Sequence, residues 1–315
     1  MNEALRWALA TYPEALFYGE DVALPGGPYG ASKGLRKEFG PRCFDTPISE
    51  TAMLGMGVGA AMRGMRPVVE IMFADFFLVA LDQVLNQAAN VRYVSGGRYA
   101  CPLTIRSQQA SVPGACAQHA QQLEAVFAHW PGLRVALPST PQDAYELLRT
   151  AIACDDPVIV LETRALYQQK ADVVLDGPLE PLGGARVVRP GGDVTVVSWS
   201  RLVHEAVAAA DELAAEGVEA EVIDLRWVAP LDLDAVLSSL ERTGRLVVAH
   251  EANVTGGFGA EVAARAASEG FWHLDAPIAR VGLPDTRVPA AAALNQALVP
   301  DRRTIADAIR RTVGS

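Results

Sequence analysis

Apolar residues between Asn2 and Tyr12 recur at helical spacing, with Leu5, Ala8 and Leu9 on one face, so a helix is expected at the start of the chain. The run Ala15 to Tyr18 predicts a short strand ending in Gly19-Glu20-Asp21, and a Gly/Pro-rich loop follows from Pro25 to Gly30. The alternation continues with a helix near Ser32 to Phe39, a strand at Cys43 to Asp45 and a long Gly/Ala/Met helix from Ser49 to Gly64. Further strands are predicted at Pro67 to Met72, Leu103 to Arg106, Arg134 to Leu137 and Val158 to Leu161, with helices at Phe76 to Tyr93, Leu123 to Trp130 and Pro141 to Cys154 between them. Apolar strands separated by helices are the pattern of a doubly wound parallel sheet, so the first domain is expected to be α/β and to end near Leu166.

From Tyr167 to Asp193 the pattern lapses into Gly177-Pro178, Pro181, Gly183-Gly184 and Pro190-Gly191-Gly192, which predicts a linker carrying at most an edge strand. A second α/β pattern then begins, with strands at Val194 to Trp199, Ala220 to Leu225 and Leu246 to Ala249, a helix at Leu202 to Glu216 and a last helix at Thr304 to Val313. No internal repeat is visible. The expected organisation is therefore a first domain over 1–170, a linker over 171–192 and a second α/β domain over 193–315.

Composition narrows the class of partner. Half of the 315 residues are hydrophobic, enough to bury two cores, and the formal net charge is -10. Lys33, Lys37 and Lys170 are the only lysines, and no basic run offers a polyanion the clustered charge it needs. Cys43, Cys101, Cys116 and Cys154 lie far apart without a Cys-x-x-Cys pair, which argues against a disulfide framework and a zinc site. With no signal-peptide pattern and no apolar run of the ~20 residues a bilayer requires, a cytoplasmic chain is expected.

Several motifs carry a functional and a plain structural reading. Gly55-Met56-Gly57-Val58-Gly59-Ala60 matches a dinucleotide fingerprint, yet its glycines fall about a turn inside a helix instead of at a sharp strand-to-helix turn. A packing surface that lets another backbone approach is the favoured reading. Thr255-Gly256-Gly257-Phe258-Gly259, before a helix at Ala260, is read as a glycine-rich turn in preference to an anion cradle. Cys116 and His119 form a conceivable nucleophile pair without other support, and His129, His204, His250 and His273 show no metal-ligand spacing. In Asp45-Thr46-Pro47-Ile48-Ser49-Glu50, Thr46 suits a helix cap, Pro47 the first helical position and Glu50 the first turn, where its charge complements the helix dipole.

Taken together, ten segments resemble the beta subunits of pyruvate, branched-chain 2-oxo acid and acetoin dehydrogenases in the transketolase-like superfamily. They are Gly19-Glu20-Asp21-Val22, Asp45 to Glu50, Phe73-Ala74-Asp75-Phe76, Asp82 to Ala89, Ser95-Gly96-Gly97, Gln118-His119, Pro131-Gly132-Leu133, Pro138 to Pro141, Asp224-Leu225-Arg226 and His250-Glu251-Ala252, in order along nearly the whole chain. The resemblance implies a thiamine diphosphate pyrimidine-binding domain followed by a transketolase C-terminal domain. It implies an alpha partner that holds magnesium and the diphosphate through a Gly-Asp-Gly motif, which this chain lacks, in an α2β2 assembly served by a lipoyl-bearing acyltransferase.

By the same resemblance Glu50 is the cofactor-activating glutamate, set against the aminopyrimidine ring nitrogen so that the exocyclic nitrogen can remove the thiazolium proton. Phe76 packs on the aminopyrimidine, and His119 gives a proton to substrate oxygen or lipoyl sulfur. A potassium ion in some relatives sits near positions matching Leu103, Ala151 and Asp156, although Cys154 stands where those relatives carry Asp.

Two departures bear on function. The relatives' His-Ser-Gln is His119-Ala120-Gln121 here, and the chain begins inside what is their first helix. A tolerated small residue explains the first, since Ser and Ala are close in volume. The alternative is a different donor, with a two-carbon ketol unit moved from a ketose phosphate to a carrier protein, and an inactive regulatory subunit is a third reading. The dehydrogenase reading is favoured because Glu50, Phe76 and His119 are all present, and Gln118 leans toward a small 2-oxo acid such as pyruvate.

Overall fold

The structure, a computed structural model, describes residues 1–314 and divides by contacts into two compact units, 1–109 with 126–182, and 110–125 with 183–315. The first unit begins with α1 (Asn2–Thr11), which buries Ala4, Leu5, Ala8 and Leu9 as its spacing predicts, and β1 (Ala15–Gly19). Then come α2 (Leu35–Phe39), β2 (Cys43–Asp45), α3 (Glu50–Met62) and β3 (Arg66–Phe73). Four short helical pieces follow, and the last of them is α4 (Val91–Val94). Next are β4 (Thr104–Gln109), α5 (Glu124–Ala128), β5 (Arg134–Ala136), α6 (Pro141–Ala153) and β6 (Val158–Thr163).

Six of these strands run parallel in the order β5-β6-β4-β3-β1-β2. The chain moves outward from β1 to β2 and then crosses back to lay β3 on the other side of β1. That reversal opens a crevice beyond the carboxyl ends of β1 and β3, the place where open α/β sheets bind ligands. Gly19 is needed there because a Cβ would stand 2.7 Å from the Glu70 carbonyl oxygen on the neighbouring strand.

Most of these strands are apolar on both faces, but β4 buries Thr104, Ser107, Gln108 and Gln109, and one charged cluster lies inside the sheet. Side chains alternate along a strand, so Glu70, Arg106 and Glu162 share the face opposite the one that packs on α3. Arg106 donates to Glu70 at 2.6 Å and, in a two-pronged contact, to Glu162 at 2.7 and 2.9 Å, and Tyr167 donates its hydroxyl to Glu162. Burial drives the Glu70 carboxyl above its ordinary range against the pull of Arg106. Buried charge is tolerated here because each of the three guanidinium nitrogens has a carboxylate oxygen of its own.

The helix predicted as one piece over Phe76 to Tyr93 is instead broken into tight turns at Ala74–Val79, a wide turn at Asp82–Gln87, another tight turn at Ala88–Asn90, and α4. Its residues serve tertiary contacts: the Thr51 hydroxyl donates to the Val79 main-chain carbonyl at 2.7 Å, and the Gln83 side chain packs where Gly55 leaves room. The expected Leu123 to Trp130 helix shrinks to the single turn of α5.

In the second unit, β7 (Arg186–Arg189) is the edge strand anticipated in the linker, antiparallel to β9 (Ala220–Asp224). β8 (Val194–Ser198), α7 (Arg201–Ala214), β10 (Trp227–Ala229), α8 (Leu233–Thr243), β11 (Leu246–Asn253), α9 (Gly259–Glu269), β12 (Ala279–Leu283), α10 (Ala292–Leu298) and α11 (Arg302–Val313) complete it. The five-stranded sheet runs β12-β11-β8-β9-β7 and packs Val196, Val222 and Val247 against Leu202, Ala206, Ile305 and Ile309 of α7 and α11.

His250 lies fully buried in this unit, stacked on Trp199 with ring centroids 5.2 Å apart. It explains the glycine-rich turn. A Cβ on Gly257 would come within 2.6 Å of the imidazole and one on Gly259 within 2.5 Å, so the glycines make space for a core histidine. Burial, aided by the charge of Arg280, pushes the imidazole down to about 4 from its ordinary 6.5. Below pH ~6.5 the unfolded chain therefore takes up a proton that the folded chain refuses, and stability falls as pH drops toward about 4, by roughly 3 kcal/mol in all. Urea unfolding of wild type and His250→Gln at pH 7, 6 and 5 checks this: the wild type should lose stability more steeply, and parallel curves would refute it.

Candidate active site

Glu20 follows β1, Glu50 opens α3 and Phe76 follows β3, so three short segments converge on the carboxyl-edge crevice of the first unit. The ends of β1 and β2 are tied by local contacts. The Asp45 carboxylate accepts from the amides of Ala23 at 2.7 Å and Leu24 at 3.3 Å, and the Thr46 amide donates to the Gly19 carbonyl at 3.0 Å. Those bonds hold the stretch after Asp45 out of the helix. The predicted Thr46 cap is accordingly corrected: Ser49 is the N-cap, and Glu50 is the first helical residue, with its carboxyl at the positive end of the helix dipole.

The position of α3 is set by packing on the sheet. Tyr18 donates its hydroxyl to the Met53 carbonyl at 2.9 Å, and Gly57 leaves room for Leu103, Tyr18 and Val69. The Gly55-to-Ala60 stretch is thus a packing surface, as expected, but what approaches its glycines is side chains, Gln83 at Gly55 and Leu103, Tyr18 and Val69 at Gly57, with no backbone among these nearest contacts.

Glu50 is only 9 % exposed, and no hydrogen bond from the chain engages its carboxylate among the described residues. Its neighbour Glu20 is buried too, and burial, then the charges of Glu50 and Asp21, raise the Glu20 carboxyl above its ordinary range. Glu20 Oε1 and Thr46 Oγ1 are buried without partners. Phe76 is half-buried, its ring edge-on to Phe73 at 5.5 Å. Carboxyls, orphaned polar atoms and an aromatic face fit a flat heterocycle with ring nitrogens, such as an aminopyrimidine. Among the described residues no group of acidic, His or Cys side chains could hold a metal ion. The exposed Leu24, Ile48, Leu78 and Val79 flank the same segments.

His119 is half-buried and lies on the 110–125 segment, whose contacts belong to the second unit, whereas Glu50 and Phe76 belong to the first. At the position suggested for potassium, the Leu103 carbonyl accepts from the Val158 amide at 3.0 Å and the Ala151 carbonyl from the Cys154 amide at 3.2 Å. The Asp156 carboxylate takes Arg92 at 2.5 Å and Arg134 at 2.8 Å; burial opposes its ionisation, but these bonds prevail and hold it below the ordinary carboxylate range. Sequence reasoning did not single out Glu20 or Thr46 as site residues, although both lie in the motifs quoted above.

Models of the transketolase pyrimidine-binding domain and the transketolase C-terminal domain match residues 1–170 and 183–305. The beta subunit of acetoin:2,6-dichlorophenolindophenol oxidoreductase from Cupriavidus necator is 42 % identical over 99 % of this chain and 96 % of its own. The chain belongs to the transketolase-like family of 2-oxo acid dehydrogenase beta subunits. Another member, the pyruvate dehydrogenase E1 component subunit beta of Leifsonia xyli, is 43 % identical over 99 % of this chain and 93 % of that one. The 3-methyl-2-oxobutanoate dehydrogenase subunit beta of Mycobacterium tuberculosis is 42 % identical, covering 99 % and 90 %. A solved structure described as a split-gene transketolase, inactive beta4 tetramer, superposes with a TM-score of 0.82 at 25 % identity over 99 % of this chain and 97 % of that one. The family's expected architecture, two α/β domains with mainly parallel sheets, is the one observed. No helix among the described residues is long and apolar enough to cross a membrane.

Proposed function

We propose that this chain is the beta subunit of a thiamine-diphosphate-dependent 2-oxo acid dehydrogenase, and that with an alpha subunit it decarboxylates a small 2-oxo acid and passes the acyl group to a lipoyl carrier. The observation that supports this best is Glu50: a buried carboxyl without a hydrogen-bond partner among the described residues, at a topological switch point, beside polar atoms of Glu20 and Thr46 that likewise lack one. Bound thiamine diphosphate supplies the carbon nucleophile and the electron sink. Glu50 holds a proton against the pyrimidine ring nitrogen, Phe76 offers its face to that ring, and His119 delivers a proton to substrate oxygen or lipoyl sulfur.

Magnesium and the diphosphate belong to the alpha subunit in this reading, in a cytoplasmic α2β2 assembly that also engages a lipoyl-bearing acyltransferase. The exposed Leu24, Ile48, Leu78 and Val79 around the crevice suit burial against that partner, since obligate interfaces resemble domain cores. Potassium remains a proposal at the main-chain oxygens of Leu103 and Ala151 near Asp156. Ketol transfer and an inactive subunit are less favoured, because the relatives above 40 % identity carry the names of acetoin, pyruvate and methyl-oxobutanoate enzymes.

Co-expression with the alpha subunit followed by a screen of 2-oxo acids and ketose phosphates with a dye acceptor tests the proposal. The pair should reduce dye with a small 2-oxo acid, and the chain alone should neither react nor bind thiamine diphosphate tightly. Activity with ketose phosphates alone, or full activity of the isolated chain, would overturn it.

A further inference from the structure

We infer, resting on the role assigned to His119, that Asn295 and Trp199 of the second unit are positioning residues for that histidine. The 110–125 segment carrying it enters a costly backbone course: Ala110 and Cys116 adopt φ of 71° and 52°, left-handed values that non-glycine residues rarely take. Such strain, about 1–3 kcal/mol per residue, persists only where surrounding contacts over-determine it.

Those contacts come from both ends of the segment. At its start, the side-chain amide of Asn295, buried on α10, donates to the Ser111 hydroxyl, and the Gly114 amide donates to the Ala290 carbonyl at 3.2 Å. At its end, the Trp199 indole N–H donates to the fully buried Glu124 carboxylate at 3.3 Å, and the indole is itself fixed between the His250 ring and the edge of Phe258. Between the clamps, Ala115 and Ala120 pack on Leu283 and Val288. The flank at Ala120, Gln121 and Gln122 instead borders a polar cavity of about 370 Å³, with Thr255 and Arg287 on its walls, so packing alone does not hold that side. Two hydrogen-bonded clamps therefore set the backbone on which His119 is mounted.

The test uses the assembled enzyme with its alpha subunit and compares Asn295→Ala, Trp199→Phe and Ser111→Ala with His119→Ala. Two rates are read: hydrogen–deuterium exchange at the thiazolium carbon, which depends on Glu50, and reductive acylation of lipoamide, which depends on His119. Each clamp variant should lower the acylation kcat about tenfold and shift its pH profile, with exchange within twofold of wild type, because a small misplacement of a catalytic group costs rate without removing the group. Asn295→Ala combined with Ser111→Ala should be no worse than either alone, and Ser111→Ala, which removes a single oxygen, carries the test where Asn295→Ala or Trp199→Phe does not fold. Unchanged acylation in the clamp variants beside a crippled His119→Ala would overturn this inference alone. So would acylation and exchange falling in parallel, the mark of a merely structural role. Unchanged acylation in His119→Ala would instead overturn the histidine's assignment, and the inference with it.

Discussion

Glu50→Gln is expected to slow hydrogen–deuterium exchange at the thiazolium carbon of bound thiamine diphosphate by roughly 10²-fold or more, while the α–β assembly still forms. The substitution keeps the side chain's shape, and no internal hydrogen bond is lost because none reaches that carboxylate among the described residues. The helix-dipole contribution of a first-turn carboxylate is only about 0.3–1 kcal/mol, too small to unfold a chain of this size. What the amide cannot do is share a proton with a ring nitrogen, so the loss falls on cofactor activation. Exchange followed by acid quench and NMR, with sedimentation of the same sample, separates the two effects. Equal exchange rates in variant and wild type would remove Glu50 from the mechanism.

His119→Ala should give the complementary pattern: exchange close to wild type, and reductive acylation of lipoamide slower by about 10²- to 10⁴-fold, the usual effect of deleting a general acid. The residue is half-buried on an irregular segment, and its removal leaves the clamps at Ser111 and Glu124 in place, so folding is expected to survive. Stopped-flow dye reduction beside lipoamide acylation locates the loss. A variant that acylates at the wild-type rate would show that the proton comes from elsewhere.

The two residues also differ in how visible they were in the sequence. Glu50 lies within a six-residue motif, yet where its helix begins was misread, because Thr46 and Pro47 have good local credentials for a helix start. The Asp45 carboxylate and the Gly19 carbonyl draw the neighbouring backbone into other bonds, and the start moves to Ser49. The Phe76 to Tyr93 stretch shows the same competition, since helical spacing there is real but contacts with Thr51 and Gly55 break the helix into turns of different pitch. α8, β12 and α10 were not anticipated. β12 shows why: only Val281 and Leu283 of its five residues are buried, too short an apolar signal to mark a strand, and pairing with β11 makes it one.

The linear pattern by itself determined most of the succession of strands and helices and the motifs at the strand ends, because burial face and turn chemistry are written in residues close together in the chain. Only the tertiary structure decided that Arg106 would meet Glu70 and Glu162 inside the sheet, that the Gly257 and Gly259 turn would close over His250, and that the segment bearing His119 would be gripped by Trp199 and Asn295. Apart from the turn over His250, each of those contacts joins residues far apart in sequence, and each forms only because other strands and helices have first fixed the backbones that carry them.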